Sequence, residues 1–321
     1  MESVREKNVL VVGATGFIGK NLTQELVKRR ARVRALIRKK KECFIFGDLR
    51  VQCCVGDLLD PNSLFMAMDD VDIVFNASGA LPHHRLIDSD YWKINVDGVE
   101  NLMQAALRRH VKKVVHLSTV GIYGEQVDNV DEKTLPNPKG AYAESKLAGE
   151  TVVSGYQSDK MSTIIIRPTI AYGPGDTRPV ILSLSKLIKR GVFIPIGNGK
   201  NYFHTVFIAN LVDAIVMSAT RKVAEGESFI VGDDPCPTIG QLWNIMTKIA
   251  EKTPPKIYIP KPIAYTFSKP FPVIARKVKF LTTNKRYKID KAKRILGYKP
   301  QVDLTEGMAI TLDWYKSRSL L

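Results

Sequence analysis

Tyr142-Ala-Glu-Ser-Lys146 sets a phenol and an ammonium four residues apart, a spacing that stacks both on one face of a helix. A cation beside a phenol favours the phenolate. Lys146 is therefore expected to lower the pKa of Tyr142 from its ordinary value of about 10 and make it an acid or base near neutral pH. A Tyr-x-x-x-Lys pair alone is common by chance. Here a β-branched run precedes it and ends in Leu117-Ser118-Thr119, whose hydroxyls can hydrogen-bond a substrate oxygen. Earlier still, Val9-Leu-Val-Val-Gly13-Ala-Thr-Gly16-Phe-Ile-Gly19 places three glycines between a strand and a helix. Glycine permits the tight turn and lets backbone N–H groups approach a pyrophosphate at the positive end of the helix. The spacing is G-x-x-G-x-x-G, and its strand-then-helix context points to nucleotide binding. Hydroxyl, phenol and ammonium behind such a loop form a conjunction far rarer than its parts.

The second strand bears on which dinucleotide binds. An NAD site commonly ends this strand with Asp or Glu, which accepts from the ribose hydroxyls. This chain has Ala35-Leu-Ile-Arg38-Lys39-Lys40, three bases that suit a 2′-phosphate. NADP is accordingly expected ahead of NAD, with Arg38 as the contact. After the third strand, the Asp57 side chain of Gly56-Asp57-Leu58 can accept from the adenine amino group.

These residues need a scaffold that brings them together. Asn8–Val12, Val33–Ile37, Val51–Val55, Ile73–Ala77, Val114–Leu117 and Thr163–Ile166 read as strands. Helical spacing falls between them, notably over Tyr91–Arg109 and Tyr142–Tyr156. Such alternation predicts an α/β fold, a doubly wound parallel sheet with helices on both faces. After Arg167-Pro168 the texture turns rich in Pro and Gly, as ligand-gripping loops of a smaller lobe would be. Leu182–Arg190, Asn210–Thr220, Gln241–Glu251, Lys291–Leu296 and Thr305–Tyr315 read as helices there. Pro254–Pro272 holds six prolines and cannot be one continuous helix. Residues 1–168 with about 205–231 are expected to form the dinucleotide-binding domain. Residues of about 169–204 with 232–321 form the interleaved substrate domain.

Composition narrows the class. The 321 residues are 45% hydrophobic and 25% charged, as in a globular domain with a sizeable core, which excludes disorder and fibrous repeats. No stretch approaches the ~20 apolar residues of a membrane span, and the N-terminus lacks signal-peptide features, so a cytoplasmic location is expected. The four cysteines, Cys43, Cys53, Cys54 and Cys236, fit neither a zinc site nor a disulfide framework; they are expected to be reduced core thiols, and no metal is expected. The net charge of +16 is concentrated, because Pro254–Ile289 holds nine Lys or Arg and no Asp or Glu. The segment interleaves these cations with Tyr258, Tyr265, Phe267 and Phe271 but contains no nucleic-acid module, so nucleic acid is not expected as a partner. Peripheral contact with an anionic membrane is the partner such a segment suggests, against the plainer reading of a substrate lid.

Taken in order, the motifs resemble the extended short-chain dehydrogenase/reductases, or NAD-dependent epimerase/dehydratase superfamily, over nearly the whole chain. The resemblance runs from Gly13-Ala-Thr-Gly-Phe-Ile-Gly19 through Asp57-Leu58 and Asn95-Val-Asp-Gly-Val-Glu-Asn101. It continues through Ser118-Thr-Val-Gly-Ile-Tyr-Gly124, Tyr142-Ala-Glu-Ser-Lys146 and Arg167-Pro-Thr-Ile-Ala-Tyr-Gly-Pro-Gly-Asp176, and ends in Lys291-Ala-Lys-Arg-Ile-Leu-Gly-Tyr-Lys-Pro300. It implies reversible hydride transfer between the nicotinamide and a secondary alcohol or ketone. Tyr142 would exchange the proton, Thr119 orient the oxygen, and Lys146 activate Tyr142 and hold the nicotinamide ribose. Gly13, Thr15, Gly16, Phe17, Ile18 and Gly19 would cradle the cofactor, with Leu58 beside Asp57. Asn76, Ala77 and Ser78 would meet a ribose, and Ser118 and Pro168 the nicotinamide. Asn95 belongs to the same site as a structural bridge of the active-site backbone.

Two departures separate this chain from the sugar-nucleotide epimerases of that superfamily. Where those enzymes grip the substrate diphosphate with an Arg-Asp pair, this chain has Phe203-His204, and a second Arg has no clear counterpart near Lys285-Arg286. Asn210-Leu-Val-Asp-Ala214 and the C-terminal pattern are closer to the 3β-hydroxysteroid dehydrogenase and dihydroflavonol reductase branch, whose substrates are hydrophobic. A dehydrogenase/reductase is therefore expected first, a nucleotide-sugar epimerase or dehydratase second, and a non-catalytic NADP(H)-binding regulator last. His83, His84, Tyr172, Arg178 and His204 are the candidate substrate contacts. The resemblance also implies a homodimer through the Asp90–Arg109 and Tyr142–Tyr156 helices.

Overall fold

Residues of alternating parity along the first strand enter two different cores. Val9 and Val11 join one apolar cluster and Leu10 and Val12 the other. A strand buried on both faces belongs inside a parallel sheet covered by helices on each side. The computed structural model describes residues 3–82, 86–125, 127–255 and 257–321.

The chain begins β1 (Asn8–Val12), α1 (Phe17–Lys28), β2 (Arg32–Ile37), β3 (Val51–Val55), α2 (Pro61–Ala67) and β4 (Ile73–Asn76). It continues with α3 (Asp88–Trp92), α4 (Gly98–Arg108), β5 (Lys113–Leu117), β6 (Val127–Val130), α5 (Ala141–Gly155) and β7 (Ser162–Pro168). Then come β8 (Ile170–Tyr172), α6 (Pro179–Lys189), β9 (Thr205–Phe207), α7 (Ile208–Thr220), β10 (Ser228–Val231) and α8 (Ile239–Ile249). The last elements are α9 (Lys261–Ser268), α10 (Pro272–Thr282), β11 (Lys285–Tyr287) and α11 (Leu304–Ser317).

Seven strands form one sheet in the order β10-β7-β5-β4-β1-β2-β3, with every neighbouring pair parallel. This is the doubly wound, Rossmann-like arrangement. Strand order reverses between β1 and β4, and a crevice opens at their carboxyl ends. Val12 there lies in register with both Leu36 and Asn76. The proline-rich stretch splits into α9 and α10, with Pro262 and Pro272 in their first turns, where the missing N–H costs no hydrogen bond. Two-stranded pairs, β6 with β11 and β8 with β9, stitch the later segments together; these strands are too short to carry a readable period.

The helix expected over Tyr91–Arg109 begins at Asp88 and is interrupted by a π turn at Lys93–Asp97. The turn centres on Asn95, whose buried amide accepts from the Ala80 N–H and donates to the Ser145 hydroxyl. Buried polar side chains need such partners, and this one reshapes the helix locally.

The cysteine expectation is corrected. Cys43, in a 3-10 turn over Lys40–Phe46, is disulfide-bonded to Cys53 on β3, and Cys54 and Cys236 are free but only partly buried. The reason is topological: the 3-10 turn folds back over the edge strand of the sheet and brings together two cysteines ten residues apart. Spacing alone does not report such a fold-back.

Arg167 at the end of β7 forms a bidentate pair with Glu150 of α5 and also donates to the Tyr123 hydroxyl. Both charges are buried. Removing one partner of a buried pair strands the other charge, at a cost of about 3–5 kcal/mol. Arg167→Met should lose that much stability in urea titration; a loss below about 1 kcal/mol would show that water reaches Glu150 after all.

Candidate active site

The glycine turn fits its expected ligand. Gly13 has φ +77°, and a Cβ there would lie 2.7 Å from the Ala77 carbonyl and the Ser78 N–H, so the β1–α1 turn lies directly against the end of β4. A Cβ on Gly19 would fall 2.1 Å from the Gly13 carbonyl oxygen. Gly16 caps α1 without a side chain, and no acid occupies the first turn. The first amides of α1 therefore face the crevice with their positive end unopposed, the donor set a pyrophosphate needs. Thr15, Phe17 and Ile18 are partly exposed along this rim. The Ser118 and Thr169 hydroxyls are buried with no hydrogen-bond partner, as groups awaiting a polar ligand would be. These features fit a dinucleotide across β1, β4 and β5.

Elsewhere along the crevice, side chains have internal duties. Asn76 is buried, accepts from the Ser78 N–H and hydroxyl, and pairs its amide with His116 Nδ1. Asp57 closes a turn by accepting from the Leu59 N–H, and Leu58 is buried. Pro168 ends β7 in register with Val231. Arg38, Lys39 and Lys40 are exposed beyond β2. The sequence reading found no acid here, but Glu42 folds back from the 3-10 turn and accepts from the Arg38 and Lys39 N–H groups.

The proton-handling groups converge as their spacing required. Thr119 caps a short 3-10 turn, Val120–Tyr123, by accepting from the Gly121 N–H, and its hydroxyl is close enough to the Tyr142 phenol to favour the phenolate. Lys146 is buried one turn along α5 and donates to the Leu117 carbonyl at 2.7 Å. Burial brings the Lys146 ammonium down to about 8.

Tyr142 and Lys146 share one face of α5, as their spacing requires. Burial pushes the phenol above its ordinary pKa, and Thr119 and the Arg178 guanidinium pull it back. The Lys146 ammonium is directed at the Leu117 carbonyl on β5, which takes up its charge. Arg178, expected as a substrate contact, lines the same cavity as the phenol, and its charge draws the Tyr142 pKa down. It is held by both oxygens of buried Asp176 and by the Ala171 carbonyl, and its guanidinium lies 5.0 Å from the centre of the Phe17 ring.

Tyr142 and Thr119 open into a cavity of about 900 Å³. Its other walls come from the second half of the chain: Ile170 after β7, Val180 and Ile181 of α6, Val273 and Phe280 of α10, and Tyr287 of β11. Arg276 and Lys285 also line it. Lys285 is buried, brought down to about 8 by desolvation, and donates to the Phe280 carbonyl and the Thr283 hydroxyl. The sequence suggests this segment as a substrate lid but singles out none of these residues, because nothing local marks a wall assembled about 130–145 residues from the phenol.

Two expected substrate contacts lie elsewhere. Tyr172 is fully buried against Phe207. His204 is buried beneath the β8–β9 pair, bonded through Nε2 to the Asp233 carbonyl, and burial lowers its pKa to about 4. Tyr172 ends β8 and His204 immediately precedes β9, and both side chains turn into the core, so neither lines the cavity. Phe203 is also buried, edge-on behind Phe280. His83 and His84 lie outside the described residues.

A glycine turn at the switch point with Thr, Tyr and Lys on the neighbouring strand and helix defines an extended short-chain dehydrogenase/reductase. The sequence profile of the NAD dependent epimerase/dehydratase family matches residues 9–232, and the chain belongs to that family as an NAD(P)-dependent oxidoreductase. It is 30% identical to the sterol-4-alpha-carboxylate 3-dehydrogenase ERG26, decarboxylating, of Candida albicans, over 96% of this chain and 97% of that protein. Among solved structures, gox2253 superposes with a TM-score of 0.83 at 25% identity, over 98% of this chain and 99% of that one. MoeE5, solved with UDP-glucose and NAD, superposes with a TM-score of 0.78 at 25% identity, over 98% and 100%.

Tyr142→Phe keeps the ring and removes the proton. Turnover should fall 10²–10⁴-fold, about the worth of a general acid–base group, while cofactor titration by nicotinamide fluorescence stays near wild type. A variant retaining most of its rate would exclude Tyr142 from proton transfer.

Proposed function

We propose that this enzyme dehydrogenates a secondary alcohol on a bulky apolar body that also carries a carboxylate. The observation that carries the reading is the cavity itself: Thr119 and Tyr142 line it together with Ile170, Val180, Ile181, Val273 and Phe280, and its charged side chains are mostly cations, Arg276 and Lys285 among them. Such a cleft rewards buried hydrophobic area, and its cations suit one anionic group. The activity for which the Candida albicans relative is named, that of a sterol-4-alpha-carboxylate 3-dehydrogenase, agrees with that chemistry.

The bound nicotinamide supplies the hydride acceptor. Thr119 holds the substrate oxygen, and Tyr142 takes the hydroxyl proton as the carbinol becomes a ketone. Only the phenolate can take that proton, so the raised pKa of Tyr142 makes oxidation faster as pH rises, while the neutral phenol is the form that returns the proton in the reverse, reductive direction. Where the carboxylate sits on the carbon next to the carbinol, the product is a β-keto acid. Its C–C bond to the carboxylate then breaks, CO2 leaves, and the electron pair remains as an enolate that takes up a proton. The same reading has the enzyme working in the cytoplasm.

A nucleotide-sugar substrate fits less well, because Phe203 and His204 are both buried where the epimerases place a diphosphate-gripping pair. A thermal-shift panel run with cofactor should show saturable stabilisation by apolar hydroxy or keto acids and little by UDP, GDP or dTDP. Micromolar binding of any one nucleoside diphosphate would reverse the ranking.

The reading also takes NADP as the preferred cofactor. Arg38 is exposed at the end of β2, and the Glu42 carboxylate beside it is engaged by backbone amides. Arg38→Asp should weaken NADPH and strengthen NADH, each by roughly tenfold, as one charge-assisted hydrogen bond is exchanged for another. Equal affinities for the two cofactors, unmoved by the substitution, would make this turn a solvated surface.

A further inference from the structure

We propose that the α9–α10 hairpin docks this enzyme onto the headgroup layer of an anionic membrane. The two helices are only 8 and 11 residues long, roughly 12–17 Å, well short of a bilayer core of about 30 Å. Among the described residues, no helix is long and apolar enough to cross a membrane. The geometry is that of an element lying in the interface plane.

Each helix has an inward seam and an apolar outer face. Ala264 and Ser268 of α9 are buried one turn apart, as are Val278 and Thr282 of α10. The hairpin is tied at that seam: Tyr265 Oη meets Thr282 Oγ1 at 2.6 Å, and Lys261 Nζ donates to the Thr282 carbonyl at 2.8 Å. Away from the ties, Phe267 is 76% exposed, and Ile263, Phe271, Val273 and Ile274 are exposed around it. An isolated exposed apolar residue is ordinary, but a contiguous set on one hairpin marks an interaction surface.

Charge selects the occupant. The segment from Pro254 to Ile289 has nine Lys or Arg and no acid. Glu125 reaches in from another element and pairs with Lys279. Lys269 and Lys277 are exposed beside the aromatic tip and make no ion pair among the described residues. Aromatic and aliphatic bodies flanked by cationic heads match the acyl boundary and the phosphates above it.

The surface is continuous with the active-site cavity, since Val273, Arg276 and Phe280 of α10 line that cavity while Ile274 and Lys277 face outward. An apolar substrate would thus enter from the bilayer without crossing water. Only this entry route rests on the substrate class proposed above; docking stands without it.

The test is co-sedimentation with vesicles of phosphatidylcholine alone or with phosphatidylserine, at low and high salt, without substrate. The whole chain should bind the anionic vesicles, and high salt should weaken the binding. Phe267→Asp with Phe271→Asp should lower it at least about tenfold, as should Lys269→Glu with Lys277→Glu. All four positions lie outside the cavity, so cofactor binding and melting temperature should stay at wild-type values. No binding to anionic vesicles at low salt would overturn the proposal. So would a concentration-dependent dimer that the Phe267→Asp, Phe271→Asp variant dissolves without any vesicle binding, since the face would then belong to a second copy.

Discussion

Arg167 holds the active site together. Its guanidinium ends β7, grips Glu150 on α5 with two nitrogens, and donates to Tyr123 of the turn that Thr119 begins. The three elements that supply the substrate-facing hydroxyl, the phenol and the polypeptide bordering the cavity are thereby joined at one buried point. Such a pair contributes little net stability, because desolvation opposes its attraction. It contributes registry. A helix that slid along the sheet would lose both carboxylate contacts together, and with them the alignment of Tyr142 to Thr119.

Against that rigid frame, the electrostatics of Tyr142 is a contest. Burial favours the neutral phenol and prevails, and an opposing pull comes from the Thr119 hydroxyl and the Arg178 guanidinium. The i, i+4 rule correctly puts Tyr142 and Lys146 on one face of α5, but a shared face does not fix where a long side chain ends. Lys146 reaches the Leu117 carbonyl on β5, so its charge is answered by the sheet. Arg178 arrives from the loop before α6, held by Asp176. Spacing along one helix cannot foresee a cation delivered by another segment.

What was legible in the sequence follows the same division between local and assembled. The central strands announce themselves because burial on both faces makes them continuous apolar runs, as in Val9–Val12 and Val114–Leu117. The glycine turn is legible because its backbone has no alternative: a Cβ at Gly13 or Gly19 meets main-chain atoms. Less legible were strands of three or four residues, such as β8 and β9, whose neighbours decide their conformation. The Cys43–Cys53 bond and the return of Glu42 to the Arg38 turn come from one 3-10 fold-back that no periodicity signals. Tyr172 and His204 misled for a physical reason. Polar side chains near a motif suggest contact with ligand, yet here the pleat directs them inward, and His204 is satisfied by the Asp233 carbonyl.

The substrate wall shows how far one substitution can act through packing. Phe203 stands where relatives that handle sugar nucleotides are expected to carry arginine, and it is fully buried, edge-on to Phe280. An arginine at that buried position would need a partner for its charge and would be driven toward the cavity to find one. A phenylalanine has no such demand, so it packs and gives Phe280 a ring to lean on. The Lys285 ammonium in turn lies 4.5 Å from the Phe280 ring centre and donates a hydrogen bond to the Phe280 carbonyl oxygen. With Phe203 in that place, the cation on this stretch of cavity wall is Lys285, held against an aromatic face rather than by a carboxylate. A ring buried behind the wall thus fixes where a charge on its surface can stand.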